Sequence, residues 1–96
     1  MHLSQLQEKI GKWHRYQFPD ATTVEIQTKI NEEILELINA PTKEAVTQEL
    51  ADVLIAIMAM CAKESIDLES AILKKHKINL TRNWYRDERG NWMRDK

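Results

Sequence analysis

Four carboxylates at matched spacing are the residues of this sequence best suited to chemistry. Glu33 and Glu36 stand three positions apart in NEEILEL, and Glu49 and Asp52 repeat that spacing in ELADVLIA. Residues three apart on a helix share a face, so each segment presents two acids in one direction. A short turn between the two helices would bring the pairs side by side, and Glu32 can join them from the edge.

Acids in apolar helices need compensation, because buried anions repel one another and lose their hydration. The carboxyl groups can protonate and share hydrogens, or they can hold cations. Hard oxygen donors, with no nearby His or Cys to suggest zinc, favour Mg²⁺ or Mn²⁺. Magnesium keeps waters and phosphates as ligands, so such a site predicts a phosphate-bearing substrate. A single Glu-x-x-Glu pair is commonly only a solvated helix face; two matched pairs, one inside an apolar run, favour the cation site.

A basic stripe lies further along the chain, in LKKHKINLTRNW. Lys75, Asn79 and Arg82 fall at positions i, i+4 and i+7, which share one side of a helix. Arginine can hold a phosphate through two hydrogen bonds, and lysine supplies a point charge. We expect this stripe to bind phosphates. The alternative is that bases at a helix end merely complement the helix dipole.

Capping residues and apolar periodicity predict four helices that position these groups. Ser4 and Thr22 are each followed three residues later by Gln or Glu, as in a capping box, and Thr42 and Asp67 are further expected N-caps. Pro19 ends the first helix. The short connections predict an antiparallel bundle in one domain, residues 1–96. The predicted helices are 4–17, 22–39, 42–64 and 67–83, with a tail over 84–96.

The third helix is apolar nearly all round from Leu50 to Ala62. A helix of that kind is buried on every side, and a 96-residue chain has little core to surround it. We therefore expect a homo-oligomer in which a partner subunit covers part of this helix. Apolar residues at helical spacing are expected to form the inner stripes of the other helices: Leu3, Leu6, Ile10 and Trp13; Ile26, Ile30, Ile34, Leu37 and Ile38; Leu68, Ala71, Ile72 and Ile78.

The bulk composition excludes several classes of protein. A formal net charge of −1 gives no global field for nucleic acid or an anionic membrane. The N-terminus lacks a signal-peptide core and the longest apolar run is short for a bilayer, so we expect a cytoplasmic protein with no membrane partner. The single cysteine, Cys61, is expected to be a buried thiol in a reducing compartment.

The tail, residues 84–96, differs in composition from the rest of the chain. ERGN is expected to turn a small hairpin between WYR and WMR. Basic residues exceed acidic ones only slightly there, which argues against nucleic-acid binding as the main function, although the interleaved aromatic residues are of the kind that stack on bases. We interpret the tail as a lid or an oligomer clasp.

These acids resemble the signature of a known superfamily, the all-α, MazG-like nucleoside triphosphate pyrophosphohydrolases. The signature is E-x-x-E, twelve residues, then E-x-x-D, read here as EILE and ELAD. Within it the chain is most similar to the dATP/dGTP pyrophosphohydrolases, the MazZ-like group often carried by phages. That likeness rests on WHRYQFPDAT, NEEILEL with ELADVLIA, and KKHKINLTRNW, and it runs from about residue 5 to residue 85.

The resemblance implies a reaction and a set of roles. A purine deoxynucleoside triphosphate, dGTP or dATP, would be cut to the monophosphate and pyrophosphate. More than one Mg²⁺ or Mn²⁺ ion would be held, and the resemblance implies a dimer or a dimer of dimers. A phage-borne member would act in the host cytoplasm. The implied metal ligands are Glu33, Glu36, Glu49 and Asp52; the implied proton acceptor is Glu32 or Glu36; the implied phosphate and sugar contacts are Lys75, Asn79 and Arg82; the implied base contacts are Trp13, His14 and Gln17.

Other functions compete with this one. A pyrimidine substrate (dCTP or dUTP) would use the same chemistry, since base choice depends on few residues. Phosphoribosyl-ATP pyrophosphohydrolases are similarly short and carry versions of the same acids, but lack the N-x-x-R-x-W ending. A non-enzymatic helical oligomerisation module would be stabilised by metal without turnover.

Overall fold

The computed structural model describes residues 2–94 as four helices followed by a two-stranded hairpin. The all-α bundle expected from the sequence is confirmed. The hairpin that ERGN predicted closes the described part of the chain. The elements are α1 (Leu3–Gln17), α2 (Thr23–Ile38), α3 (Lys43–Lys63), α4 (Leu68–Leu80), β1 (Trp84–Arg86) and β2 (Trp92–Arg94).

Three of the four helix starts are the ones that local sequence predicts. The side chains of Thr22, Thr42 and Asp67 each accept a hydrogen bond from the backbone N–H three residues on, at 3.1 Å in every case. The Glu25 carboxylate in turn accepts a hydrogen bond from the Thr22 N–H at 3.1 Å and completes the capping box. These caps satisfy backbone donors that a helix leaves without partners.

The prediction of a capping box at Ser4 and Gln7 was wrong. Helix α1 begins at Leu3, after the N-cap residue His2, whose N–H donates to the Gln5 side chain at 2.8 Å. Gln7 instead reaches across to the start of α4. Its amide nitrogen donates to the Ile66 carbonyl at 2.7 Å, and its amide oxygen accepts from the Leu68 N–H at 3.2 Å.

Helix α3 is the centre of the bundle, because it packs against both α1 and α2, whereas α4 packs chiefly against α1. Its length and mean hydropathy of 1.6 would also allow it to cross a membrane. The core helix of a water-soluble protein can have the same length and hydropathy. Among residues 2–94, the buried apolar side chains are Ile26 of α2 and four on α3: Val53, Met58, Ala59 and Cys61. The buried thiol expected at Cys61 is confirmed.

The single chain does not bury α3 on every side, and the partner subunit expected to cover the rest of this helix stays a prediction. Leu50 and Leu54 are 47% and 49% exposed, and Leu73 and Leu80 of α4 are 61% and 72% exposed. Several residues that were predicted to lie on the inner, buried faces of the other helices are exposed in the single chain, and for them the prediction was wrong. They are Leu6, Trp13, Ile34, Ile38, Ala71, Ile72 and Ile78. The radius of gyration is 16.0 Å, against about 12.5 Å for a compact domain of this length. The chain is extended and leaves wide apolar faces uncovered.

The end of α4 corrects a second prediction. The helix ends at Leu80 and Thr81 caps it, so Arg82 lies beyond the helix on which the sequence placed it. The hairpin follows at once, with the Trp84 indole N–H donating to the Asn79 carbonyl at 3.1 Å. Its turn is held by the Asp87 carboxylate, which accepts from the N–H groups of Arg89 and Asn91, both at 2.9 Å.

Gly11 marks the closest approach of α1 to α3. It is the buried residue of α1, and a Cβ placed on it would lie 2.6 Å from the Ala62 Cβ. Carbon atoms cannot approach so closely, and neither Cβ can move without its helix. The absence of a side chain at position 11 therefore sets the separation of these two helices.

We expect Gly11→Ala to lower the free energy of unfolding by about 1–3 kcal/mol, the usual cost of overpacking. Helix propensity alone gives the opposite sign, a gain of about 1 kcal/mol. Urea unfolding followed by circular dichroism distinguishes the two. In a double-mutant cycle, the combination of Gly11→Ala with Ala62→Gly should lower the free energy of unfolding by less than the sum of the two single changes. Additive changes would show that the contact between these positions does not affect stability.

Candidate active site

The packing of α2 against α3 brings three of the four predicted metal ligands together. One carboxylate oxygen from each of Glu33, Glu36 and Glu49 lies within 4.8 Å of the others. We call these residues the carboxylate cluster. Asp52 does not share this mutual distance with the cluster, but it lies one turn beyond Glu49 on α3, and it lines a cavity together with Glu33.

The sequence predicted that all four acids are buried, and this was wrong. Glu33 is buried at 6% exposure, Glu49 is half-buried, and Glu36 and Asp52 are exposed. The cluster therefore opens to solvent on one side. Glu32, the remaining acid of the segment, is exposed beside it.

Two oxygens of the cluster lack partners. Glu33 Oε2 and Glu49 Oε2 are buried and accept no hydrogen bond from the described residues. An orphaned, buried carboxylate oxygen is costly, and a divalent cation would satisfy both oxygens. The donor set consists of carboxylates, without His or Cys, and it fits Mg²⁺ or Mn²⁺.

The carboxyl groups of the cluster interact strongly. The pKa of Glu36 is raised, first because its carboxyl shares a hydrogen with Glu33 and lies beside the Glu33 charge, and then through a further hydrogen bond to Glu49. A cation that binds here competes with a proton for the same carboxylates. Both forms of compensation open to the sequence, shared protons and bound cations, are thus available to the same three residues.

Lys29 is the basic residue beside the cluster. Its Nζ lies 3.0 Å from Glu33 Oε1 and 3.8 Å from Glu32 Oε2. The hydrogen bond to Glu33, followed by the Glu33 charge, raises the pKa of Lys29. Sequence analysis missed this residue, although its position four before Glu33 is the spacing of an intrahelical ion pair.

A cavity of about 450 Å³ adjoins the cluster. Trp13, His14 and Phe18 line it with aromatic rings, and Glu33 belongs to both the cavity and the cluster. Pockets for small molecules commonly have about 300–1,000 Å³ and a mostly apolar lining with few polar groups. The other lining residues are Ala21, Glu25, Ile26, Lys29, Asp52, Ile55 and Ala56.

The three rings form a connected aromatic group at the end of α1. The Phe18 ring lies 5.9 Å from Trp13, nearly perpendicular to it, and 5.0 Å from His14. Burial lowers the pKa of His14, and the charge of Lys63 lowers it further, so near neutral pH its ring offers one donor and one acceptor. Phe18 was missed from the sequence, because the FP pair signalled only a helix end.

The remaining predicted site residues lie elsewhere. Gln17 is exposed and does not line the cavity, and neither do Lys75, Asn79 and Arg82. Within residues 2–94, Asn79 Oδ1 and Arg82 Nη1 are buried without a hydrogen-bond partner. Because α4 packs chiefly against α1, whereas the acids lie on α2 and α3, the described chain does not place the predicted phosphate-binding residues in the cavity beside the acids.

Comparison with known proteins places this arrangement in context. The sequence model of the family described as phosphoribosyl-ATP pyrophosphohydrolase matches residues 3–79. A dATP/dGTP diphosphohydrolase of Salmonella phage PMBT28 is 34% identical over 88 residues. That alignment covers 92% of this chain but only 30% of the phage protein, so this chain corresponds to less than a third of that protein.

A solved structure matches over the whole length. It is a cyanophage S-2L MazG-like pyrophosphohydrolase bound to dGDP and three catalytic Mn²⁺ ions per active site. The TM-score is 0.83 at 31% identity, and the match covers 100% of this chain and 99% of that one. The fold, the acid spacing and the family match agree. This chain belongs to the family of phosphoribosyl-ATP and MazG-like pyrophosphohydrolases.

Proposed function

We propose that this chain hydrolyses a purine deoxynucleoside triphosphate, dGTP or dATP, to the monophosphate and pyrophosphate. The observation that carries the proposal is the carboxylate cluster, with two partnerless buried oxygens, beside a cavity lined by aromatic rings. A cluster that holds cations accounts for the triphosphate, and the cavity accounts for a base. The purine is supported by the named activity of the phage relative and by the dGDP in the cyanophage structure.

In this proposal Glu33, Glu36, Glu49 and Asp52 hold the divalent ions. Bound there, such ions polarise the α-phosphate and lower the pKa of an attacking water. Glu36 or Glu32 accepts the proton of that water, because both are exposed acids next to the buried Glu33. Trp13 and His14 stack against the base or bind its edge, and Phe18 completes the aromatic wall. Gln17, which lies outside the cavity, keeps only the role that the resemblance implied.

The phosphate-binding role of Lys75, Asn79 and Arg82 requires a second chain. Helix α4 packs chiefly against α1 of its own chain, so we propose that a homo-oligomer brings these residues to the phosphates. The apolar faces of α3 and α4 that the single chain exposes support such an assembly. Nucleic acid and membrane are not partners in this proposal, and the cytoplasmic location remains a prediction.

The alternative with an observation in its favour is phosphoribosyl-ATP as substrate, because the matching family model bears that description. It shares the cluster and differs only in what the cavity receives. The pyrimidine deoxynucleotides share the cluster too. The choice is therefore a question about the cavity and leaves the reaction unchanged.

The first test is product analysis with each of the four deoxynucleoside triphosphates and phosphoribosyl-ATP, in Mg²⁺, in Mn²⁺ and in EDTA. We expect monophosphate and pyrophosphate from dGTP or dATP, only when metal is present. Diphosphate and inorganic phosphate would contradict the proposed bond. A preference for a pyrimidine deoxynucleotide or for phosphoribosyl-ATP would change the assigned substrate and leave the proposed reaction unchanged. No turnover, with metal still raising the melting temperature, would favour the oligomerisation module.

We expect Glu36→Gln to lower kcat by about 100-fold or more. Substitution of residues that only hydrogen-bond to metal ligands already lowers metal affinity or activity by about 10–100-fold. The helical content should persist, because the exposed glutamine removes one charge from a group of repelling carboxylates and can still hydrogen-bond to its neighbours. Glu88→Gln, which removes the same charge from the hairpin turn, is the control. Unfolding of Glu36→Gln, or an equal loss in the control, would argue against a catalytic site at the cluster.

We expect light scattering coupled to gel filtration to give a multiple of the 11.3 kDa chain mass. The double variant Leu50→Lys and Leu54→Lys should lower that mass, because it places two charges on the exposed apolar face of α3. Gln48→Lys adds a charge at an exposed position on another side of α3 and should leave the mass unchanged. A wild-type mass of one chain would refute the assembly.

A further inference from the structure

Lys29 occupies the junction between the carboxylate cluster and the cavity. Its ammonium group lies 3.0 Å from Glu33 Oε1, and the same side chain lines the cavity that Trp13 and Phe18 also line. The lysine side chain is 58% exposed, whereas that of Glu33 is 8% exposed. One end of this ion pair is thus fixed in the protein and the other is free to move.

Glu33 is compensated from one side only. Oε1 is paired with Lys29, while Oε2 is buried and accepts no hydrogen bond from residues 2–94. A buried carboxylate that loses its counter-charge is strongly destabilised. A cation bound to Glu33 would supply that charge, and it would also repel the ammonium group beside it.

The exposed lysine has another anion within reach in the proposed complex. Its long side chain carries the ammonium as a mobile point charge, and the proposed function places the triphosphate at the carboxylate cluster, beside this lysine. Phosphate oxygens there would offer the lysine a partner when the cations take Glu33. Lys29 would then be paired with an anion both before and after the cations bind.

We propose that Lys29 is an exchangeable counter-ion. Its ammonium group pairs with Glu33 and, when a divalent cation binds Glu33, pairs instead with the phosphates of the nucleotide. This inference rests on the proposed function and adds a residue to it. Lys29 then opposes binding of the cation to the protein alone and favours binding of the nucleotide with its cations. The two effects have opposite signs, which a purely structural lysine would not produce.

The test is Mn²⁺ titration of the protein without nucleotide, by calorimetry. We expect Lys29→Met to bind Mn²⁺ about threefold to tenfold more tightly than wild type, the effect of one unit charge about 4 Å away and screened by water. The same variant should have a raised KM for the nucleotide with a smaller change in kcat. In EDTA its melting temperature should fall, and Mn²⁺ should restore it.

Three further variants separate charge from geometry. Lys29→Arg keeps the charge and should retain wild-type Mn²⁺ affinity. Lys29→Gln keeps a hydrogen-bond donor without the charge and should behave as Lys29→Met does, which also serves if the methionine variant folds poorly. Lys12→Met is the matched control, because Lys12 makes an intrahelical pair with Glu8 at 3.4 Å, between side chains that are both 68% exposed, and should change neither constant.

The outcomes distinguish this inference from the proposed function. Wild-type protein that binds no Mn²⁺ would overturn both. Wild-type binding with an unchanged or weaker affinity in Lys29→Met and Lys29→Gln would overturn the role of Lys29 alone. Weaker binding would show that the lysine simply orients the Glu33 carboxylate.

Discussion

Repulsion among three carboxylates is the constraint on which the rest of this structure depends. Glu33 and Glu36 of α2 approach Glu49 of α3 to within 4.8 Å, and they do so because the two helices pack directly against each other. Such proximity is unfavourable for a protein that only has to fold. The Lys29 ammonium group compensates part of the charge, the proximity of Glu33 raises the pKa of Glu36, and two buried carboxylate oxygens have no hydrogen-bond partner among the described residues.

Helix α3 contributes to three different parts of the structure around the cluster. One side of this helix carries Glu49 and Asp52, another packs closely on α1 where Gly11 meets Ala62, and a third exposes Leu50 and Leu54. A helix with three different faces cannot show a simple apolar stripe. This explains why its sequence looks apolar nearly all round, although much of its surface is exposed in the single chain.

Features governed by neighbouring residues could be predicted from the sequence, and features governed by distant contacts could not. The caps at Thr22, Thr42 and Asp67 and the hairpin turn depend on groups within a few residues, and they were correct. The cap at Ser4 failed because Gln7 has a partner 59 residues away at Ile66. A local pattern cannot weigh such a competitor.

The candidate site divides in the same way. Acid spacing along two adjacent helices predicted the meeting of Glu33, Glu36 and Glu49, since a short turn leaves little freedom in how the helices align. The cavity is assembled from three helices and the loop after α1, so no single segment signals Phe18 or Lys29. The placement of Asn79 and Arg82 was harder still to predict, because Asn79 Oδ1 and Arg82 Nη1 have no hydrogen-bond partner among the described residues.

The two parts of the site also differ in what they can specify. In the proposed function the carboxylate cluster holds cations, and these cations bind the phosphates through charge, whatever the base. Discrimination between bases needs directional hydrogen bonds in the cavity, and the polar groups that line it are few: His14, Glu25, Lys29, Glu33 and Asp52. Glu25 is held by the Thr22 cap, and Lys29 by Glu33. That leaves the neutral imidazole of His14 as the group on the aromatic wall with both a donor and an acceptor for a base edge. A related chain could therefore change its substrate through this wall while the α2–α3 pairing, and the reaction it supports, stayed the same.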